Sequence, residues 1–161
     1  MADEVDLIVD AWRRERPDLD VEPMHVLSRI SRLADLLDER RAAAFVEHGL
    51  QRHEFDVLAA LRRAGAPFEL TAGELCAATH VTSGTMTSRL DRLVARKLVI
   101  RRADAADGRL VRVRLTAVGR RRVDAALAAL LGCERELLDH LPAAGREQLA
   151  VALRRLLAAA G

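Results

Sequence analysis

The chain has 161 residues, 26 of them Lys or Arg and 24 Asp or Glu, for a formal net charge of +2. Half of the residues are hydrophobic and 31% are charged, which excludes both a disordered chain and an integral membrane protein. Two cysteines, Cys76 and Cys133, are too few for a disulfide framework, the first ten residues are acidic where a signal peptide is basic, and no apolar run approaches the ~18 residues of a membrane span, so the expected location is the cytoplasm.

Val5, Ile8, Val9 and Trp12 recur at helical spacing and predict a short amphipathic helix that Pro17 and Asp18 end. A long helix over residues 22–48 follows, with the stripe Leu27, Ile30, Leu33, Leu37, Phe45 and His48, and Gly49 stops it. A third helix, residues 51–63, is closed by Gly65-Ala66-Pro67. Thr71 and Glu74 have the spacing of a capping box and open a short helix to Thr79. After a turn at His80-Val81, Thr82 or Ser83 caps a further helix that reaches about Arg96. Val99 to Arg102 is extended, 103–108 is a charged, turn-rich loop, and Val111-Arg112-Val113-Arg114-Leu115 alternates as an exposed strand does. Thr116 caps a long helix to about His140, and Pro142 opens the last one.

The predicted fold is mainly α. Short helix, tight turn, second helix and two-stranded hairpin make a winged helix-turn-helix core over residues 51–115. Residues 1–16 add an N-terminal helix, and the long helices at 22–48 and 116–160 carry apolar stripes suited to a homodimer interface, all within one domain. The chain has no Tyr, one Trp and three Phe, so the core is built of Leu, Val and Ala, as helix-on-helix packing allows.

The small net charge hides a segregation. Residues 82–122 hold 12 basic and 3 acidic side chains, and the remainder of the chain is acidic. A basic zone that coincides with the predicted second helix and wing is the footprint of a double-stranded DNA binder. On the second helix, Met86, Leu90, Leu93, Val94 and Lys97 form the face expected to pack on the domain. Thr82, Ser83, Thr85, Thr87, Ser88 and Arg92 give a small polar surface that can enter a major groove and reach phosphates or base edges. At the hairpin tip, Arg109 is placed to enter the minor groove with Asp107 orienting it, and Arg112 suits a backbone contact.

Other classes find little support. The sequence holds no nucleophile elbow, P-loop, paired catalytic carboxylates or Gly-rich nucleotide loop, so neither an enzyme nor a cofactor is expected. The five histidines and two cysteines lack metal-ligand spacing, so no metal is expected. Cys76 and Cys133 fall within helices and read as packing residues. A helical protein-interaction module without DNA binding is the alternative from a different class.

The stretches TSGTMTSRLDRLVARKLVIRR (Thr82–Arg102) and DGRLVRVRLTAVGR (Asp107–Arg120) resemble the MarR family of winged-helix transcriptional regulators, above all in the Asp-x-Arg wing and the following Leu-Thr-x-x-Gly. The resemblance implies a homodimer bound to a pseudo-palindromic operator, usually as a repressor, and release of DNA by a small molecule. The added helix with WRRERPDLD (Trp12–Asp20) is similar to the urate-responsive branch of that family. That similarity implies a ligand site at Trp12, Asp56, Arg89 and Arg101 for a small anion: urate or another purine, or alternatively a tricarboxylate such as trans-aconitate. The residues alone leave two readings open. Either a planar anion lies between Arg89 and Arg101 near the indole, or Arg89 pairs internally with Asp56 and Trp12 is packing.

Overall fold

Helix caps set most of the element boundaries in the computed structural model, which describes residues 2–104 and 110–160. The chain divides into two compact units, one ending at Arg41 and one beginning at Ala42.

In the first unit, α1 (Glu4–Glu15) opens on Asp3, whose carboxylate accepts from the N–H groups of Val5 and Asp6. It packs against the start of α2 (Met24–Glu47) through Val5, Val9 and Val21, with Met24 beside them. Ion pairs line this contact: Arg29 donates to Asp3 and Asp6, and Arg32 to Glu4. The Arg29 guanidinium, helped by the N–H groups of Asp6 and Val5, holds the Asp3 carboxyl at about 2.

The second unit takes in the C-terminal end of α2. That helix stops at Gly49, whose φ of +63° provides the left-handed position of a Schellman motif: Leu50 N–H reaches Phe45 O and Gly49 N–H reaches Val46 O. Then follow α3 (Arg52–Arg63), β1 (Glu69–Thr71), α4 (Ala72–Thr79), α5 (Ser83–Ala95), β2 (Val99–Ala103), β3 (Val111–Leu115), α6 (Ala117–Leu138) and α7 (Ala143–Ala160). Phe45 and Phe55 stack at 4.3 Å over a core of Val57, Leu58, Leu61, Leu75, Met86, Leu90, Leu93, Leu98, Val113 and Val123. Among the described residues no helix is long and apolar enough to cross a membrane.

The wing has one strand more than expected. β1 pairs antiparallel with β3, giving a three-stranded sheet in the order β1-β3-β2. Three residues are too few for an alternation signal, and the partner strand lies some forty positions away. The inner face of α5 also differs from the expectation. Met86, Leu90 and Leu93 are buried, but Val94 and Lys97 are exposed. The helix ends at Ala95, so helical periodicity no longer applies at position 97. Lys97 takes the left-handed C-terminal position instead (φ 57°), Leu98 N–H closes on Leu93 O, and Leu98 fills the core.

The Leu-Thr-x-x-Gly segment acquires a mechanical role here. Thr116 caps α6 by accepting from Gly119 N–H, and its own hydroxyl lies 2.9 Å from Lys97 O and 3.0 Å from Leu98 O. Thr116 N–H donates to the same Leu98 carbonyl. A Cβ at position 119 would collide with that carbonyl, so only glycine permits the approach. Gly119→Ala is expected to lower stability by about 1–3 kcal/mol through forced separation of α6 from the α5–β2 turn, read as a lower urea midpoint with unchanged m-value.

Candidate nucleic-acid interface and effector site

The exposed face of α5 is built by its cap and its register. Thr82 accepts from Thr85 N–H and donates its own proton to the Thr85 hydroxyl. Ser83, Thr85, Ser88 and Arg92 are all exposed, opposite the buried Met86–Leu90–Leu93 stripe. Thr87 is also exposed, but its hydroxyl donates to Ser83 O, 3.0 Å away, within the helix. Small hydroxyl side chains beside free helix N–H groups suit close approach to a phosphate backbone. Of the expected wing residues, Asp107 and Arg109 lie outside the described residues.

Arg112 has partners within the sheet. Its Nε donates to Asp104, and its Nη1 lies 3.8 Å from Glu69. Asp104, with smaller effects from Glu69 and Glu74, raises the Arg112 pKa. Glu69 and Glu74 precede the basic segment in sequence, and the fold places their charge against its arginines. Sequence reasoning passed over Glu69 because the strand that carries it was not foreseen.

Arg101 and Arg89 take opposite flanks of α5. The sheet register pairs Arg101 with the buried Val113, so its side chain points to the inner face, toward α5. There Nη1 donates to Asp91 (2.7 Å) and Nη2 to the backbone carbonyl of Thr87 (2.9 Å), while the buried Nε has no partner. Asp91 and Thr87 each stand two residues from Arg89, which is about 200° around a helix. The structure therefore does not bring Arg89 and Arg101 onto one small anion. Arg89 instead lines a cleft of about 480 Å³ with His53, Gly84, Thr85, Ser88 and Arg92.

Asp56, at the solvent face of α3, feels Arg89 electrostatically, and no Arg89–Asp56 contact ion pair is present among the described residues. Desolvation dominates its environment and raises its pKa, against the opposing pull of Arg52, Arg89, His53 and Arg63. Trp12, in the other unit, leaves 47% of its surface exposed on α1. Near the cleft, Arg96 at the end of α5 donates at 2.6 Å to both oxygens of Glu54 and also to Gly49 O. Burial works to raise the Glu54 pKa, but Arg96 and Gln51 N–H overcome it and leave it lowered. The two carboxylates of α3 thus differ: Glu54 is buried and bound by Arg96, and Asp56 lies at the solvent face without a contact ion pair to Arg89.

Comparison with known proteins agrees with this geometry. Residues 48–110 match the MarR family. The chain is 39% identical over 136 residues to the HTH-type transcriptional regulator PecS of Dickeya dadantii, covering 84% of this chain and 82% of PecS. Among solved structures, a mutant MarR from E. coli complexed with operator DNA superposes with a TM-score of 0.70 at 25% identity, covering 86% of this chain and 99% of that one. BpsR of Bordetella bronchiseptica, solved to explain regulation of its DNA binding by 6-hydroxynicotinic acid, gives a TM-score of 0.61 at 28% identity, covering 80% and 98%.

The raised pKa of Asp56 has a sign that stability can test. An acid whose folded pKa lies above its unfolded one weakens the fold at pH values above both, and the penalty shrinks as pH falls below the folded value and is gone below the unfolded one. Asp56→Asn is therefore expected to raise the urea midpoint at pH 7, with the gain shrinking as the buffer is made acidic. A structural Arg89–Asp56 pair would give the opposite, a lower midpoint at pH 7.

Proposed function

The chain belongs to the MarR family of winged-helix, DNA-binding transcriptional regulators, and on that premise we propose that it is a homodimeric repressor, released from a pseudo-palindromic operator by a small anionic effector. The observation that carries the dimer is the apolar surface of the long helices. Leu27 and Leu33 on α2, Leu127, Leu131 and Leu138 on α6, and Leu149, Leu156 and Leu157 on α7 are exposed in the single chain. No residue of α7 is buried at all. Helices of 18 to 24 residues with such faces need a partner to be covered. A two-fold dimer presents two α5 helices to half-sites about one helical turn, ~10 bp, apart. Thr82, Ser83, Thr85, Ser88 and Arg92 supply the major-groove surface, and access to chromosomal DNA implies work in the cytoplasm.

The effector reading rests on Arg89. This half-buried guanidinium on the recognition helix has the Asp56 carboxylate in electrostatic range and no contact partner of its own among the described residues. An anion at Arg89 competes with Asp56 and acts on the helix that reads DNA. The choice of ligand follows the urate-responsive resemblance, with urate or another purine first and a tricarboxylate second. Regulation of BpsR by an aromatic carboxylic acid supports a small anionic ligand in this fold.

Sedimentation at micromolar concentration is expected to give a dimer, and a 17.7 kDa monomer would contradict the reading. Trp12 is the sole Trp, so any fluorescence change on adding an effector is assigned to α1. Urate, purines or tricarboxylates at millimolar levels should change that fluorescence and weaken DNA binding roughly 5- to 150-fold, and Arg89→Ala should abolish both responses. Silence from every one of these compounds, in fluorescence and in a gel-shift titration alike, removes the effector site.

A further inference from the structure

We propose that Glu69 is a positioning residue of the wing, lacing Arg102 and Arg112 to the helix-turn-helix so that the root of the hairpin is held in place rather than bound to phosphate. The inference rests on the DNA-binding reading of α5 and the wing and adds a residue to it.

The register places Glu69 on the outer face of the sheet. It lies opposite Arg114, and Thr71 lies opposite Arg112, which in turn faces Arg102 on the far strand. From β1 the Glu69 carboxylate reaches across to both basic strands. Its Oε2 lies 2.7 Å from Arg102 Nη2, and its Oε1 lies 3.8 Å from Arg112 Nη1. The first contact is an ion pair whose angle is not that of a hydrogen bond, since Oε2 has no hydrogen-bond partner. The Glu69 side chain is only 6% exposed, whereas Arg102 and Arg112 are 53% and 40% exposed. A single acid is thus covered by two guanidiniums that remain partly hydrated. Asp104, equally buried, holds Arg112 from the other side.

This lacing joins two parts that the chain connects only remotely. β2 and β3 form the wing, but β1 leads straight into α4. Thr71 is both its last residue and the cap of α4, where Glu74 accepts from the Thr71 N–H and hydroxyl. A charge on β1 that grips β2 and β3 therefore ties the angle of the wing to the first helix of the helix-turn-helix. It also takes Arg102 and Arg112 away from DNA. Glu69, Glu74 and Asp104 face Arg102, Arg112 and Arg114 on one side of the sheet, so the wing root carries little net charge despite its arginines.

The test uses the full-length chain and a duplex that it selects from a randomised pool. Glu69→Gln removes the buried charge and leaves two hydrated arginines, so the fold survives, as circular dichroism will show. Glu69→Gln and Arg112→Gln are each expected to weaken binding by a similar factor, roughly 2- to 30-fold. The double variant should be no weaker than either single one. All three should keep the wild-type salt slope, because no phosphate contact is lost. If Glu69→Gln lowers helicity, Arg102→Gln, at a more exposed site, replaces it with the same expectation of weaker binding at unchanged slope. A slope flattened by about 0.9 or more in Arg112→Gln makes Arg112 a phosphate contact and overturns the proposal. Tighter or unchanged binding by Glu69→Gln overturns it as well. Failure of the wild-type chain to retain any duplex would overturn the DNA-binding reading itself, a result distinct from either of these.

Discussion

One carbonyl organises the DNA-binding unit. Leu98 O accepts from the backbone N–H and the hydroxyl of Thr116, and Gly119 stands so close that no side chain fits between. Leu98 is the residue at which the recognition helix has just ended and β2 has not yet begun. Thr116 is the residue at which β3 ends and α6 begins. Clasping the two places the end of α5, the base of the wing and the start of the long C-terminal helix at a single point. Polar contacts of this kind are worth only about 1 kcal/mol each. Their effect is geometric: Leu93, Leu98, Leu115 and Val123 then fall into one core and hold the arrangement by burial.

Electrostatics, by contrast, separates parts that look alike in sequence. Twelve basic side chains crowd residues 82–122, and as a linear string they form a uniform basic zone. Folded, they divide into groups. Arg96 is bound to Glu54 and Gly49 O, Arg101 to Asp91 and Thr87 O, and Arg112 to Asp104 and Glu69. These guanidiniums serve as internal struts. Arg92 and Arg89 instead border an open cleft beside the hydroxyl-rich start of α5. An arginine within this fold is therefore assigned by its acidic neighbours rather than by its place in a basic run.

The secondary structure was largely legible because its signals are local. The capping pairs Thr71–Glu74 and Thr116–Gly119, the stop at Gly49 and the alternation of Val111 to Leu115 all act within a few residues. What was not legible depends on distant partners. β1 exists because β3 offers it an edge, and neither strand announces the other. The inner face of α5 was read one turn too far because periodicity does not mark where a helix stops. Arg89 lies half-buried beside the Met86–Leu90–Leu93 stripe, but its relation to Arg101 is not legible in sequence, since strand register decides which face of β2 Arg101 occupies. Side-chain chemistry was visible in sequence, and side-chain direction across the sheet was not.

The flanks of α5 give this last point a mechanistic consequence. On one flank Arg101 fastens the helix to β2 through Asp91 and Thr87. On the other, Arg89 faces α3 across a cleft, with Asp56 near enough to feel but not to bind. The helix is thus tied to β2 by Arg101 along its wing side, while toward α3 it is held at its C-terminal end by Arg96 on Glu54 and carries no contact ion pair at Arg89 among the described residues. An anion at Arg89 displaces no contact ion pair of that arginine among the described residues, whereas the Arg96–Glu54 pair fixes the far end of the helix. A ligand acting at Arg101 must first displace Asp91. Coupling requires that the effector bind one orientation of α5 better than the other. On the proposed effector reading, Arg89 meets that requirement with the smaller opposing interaction of the two arginines, and the α3 side is where a small anion would act on the proposed groove-facing hydroxyls of Ser83, Thr85 and Ser88.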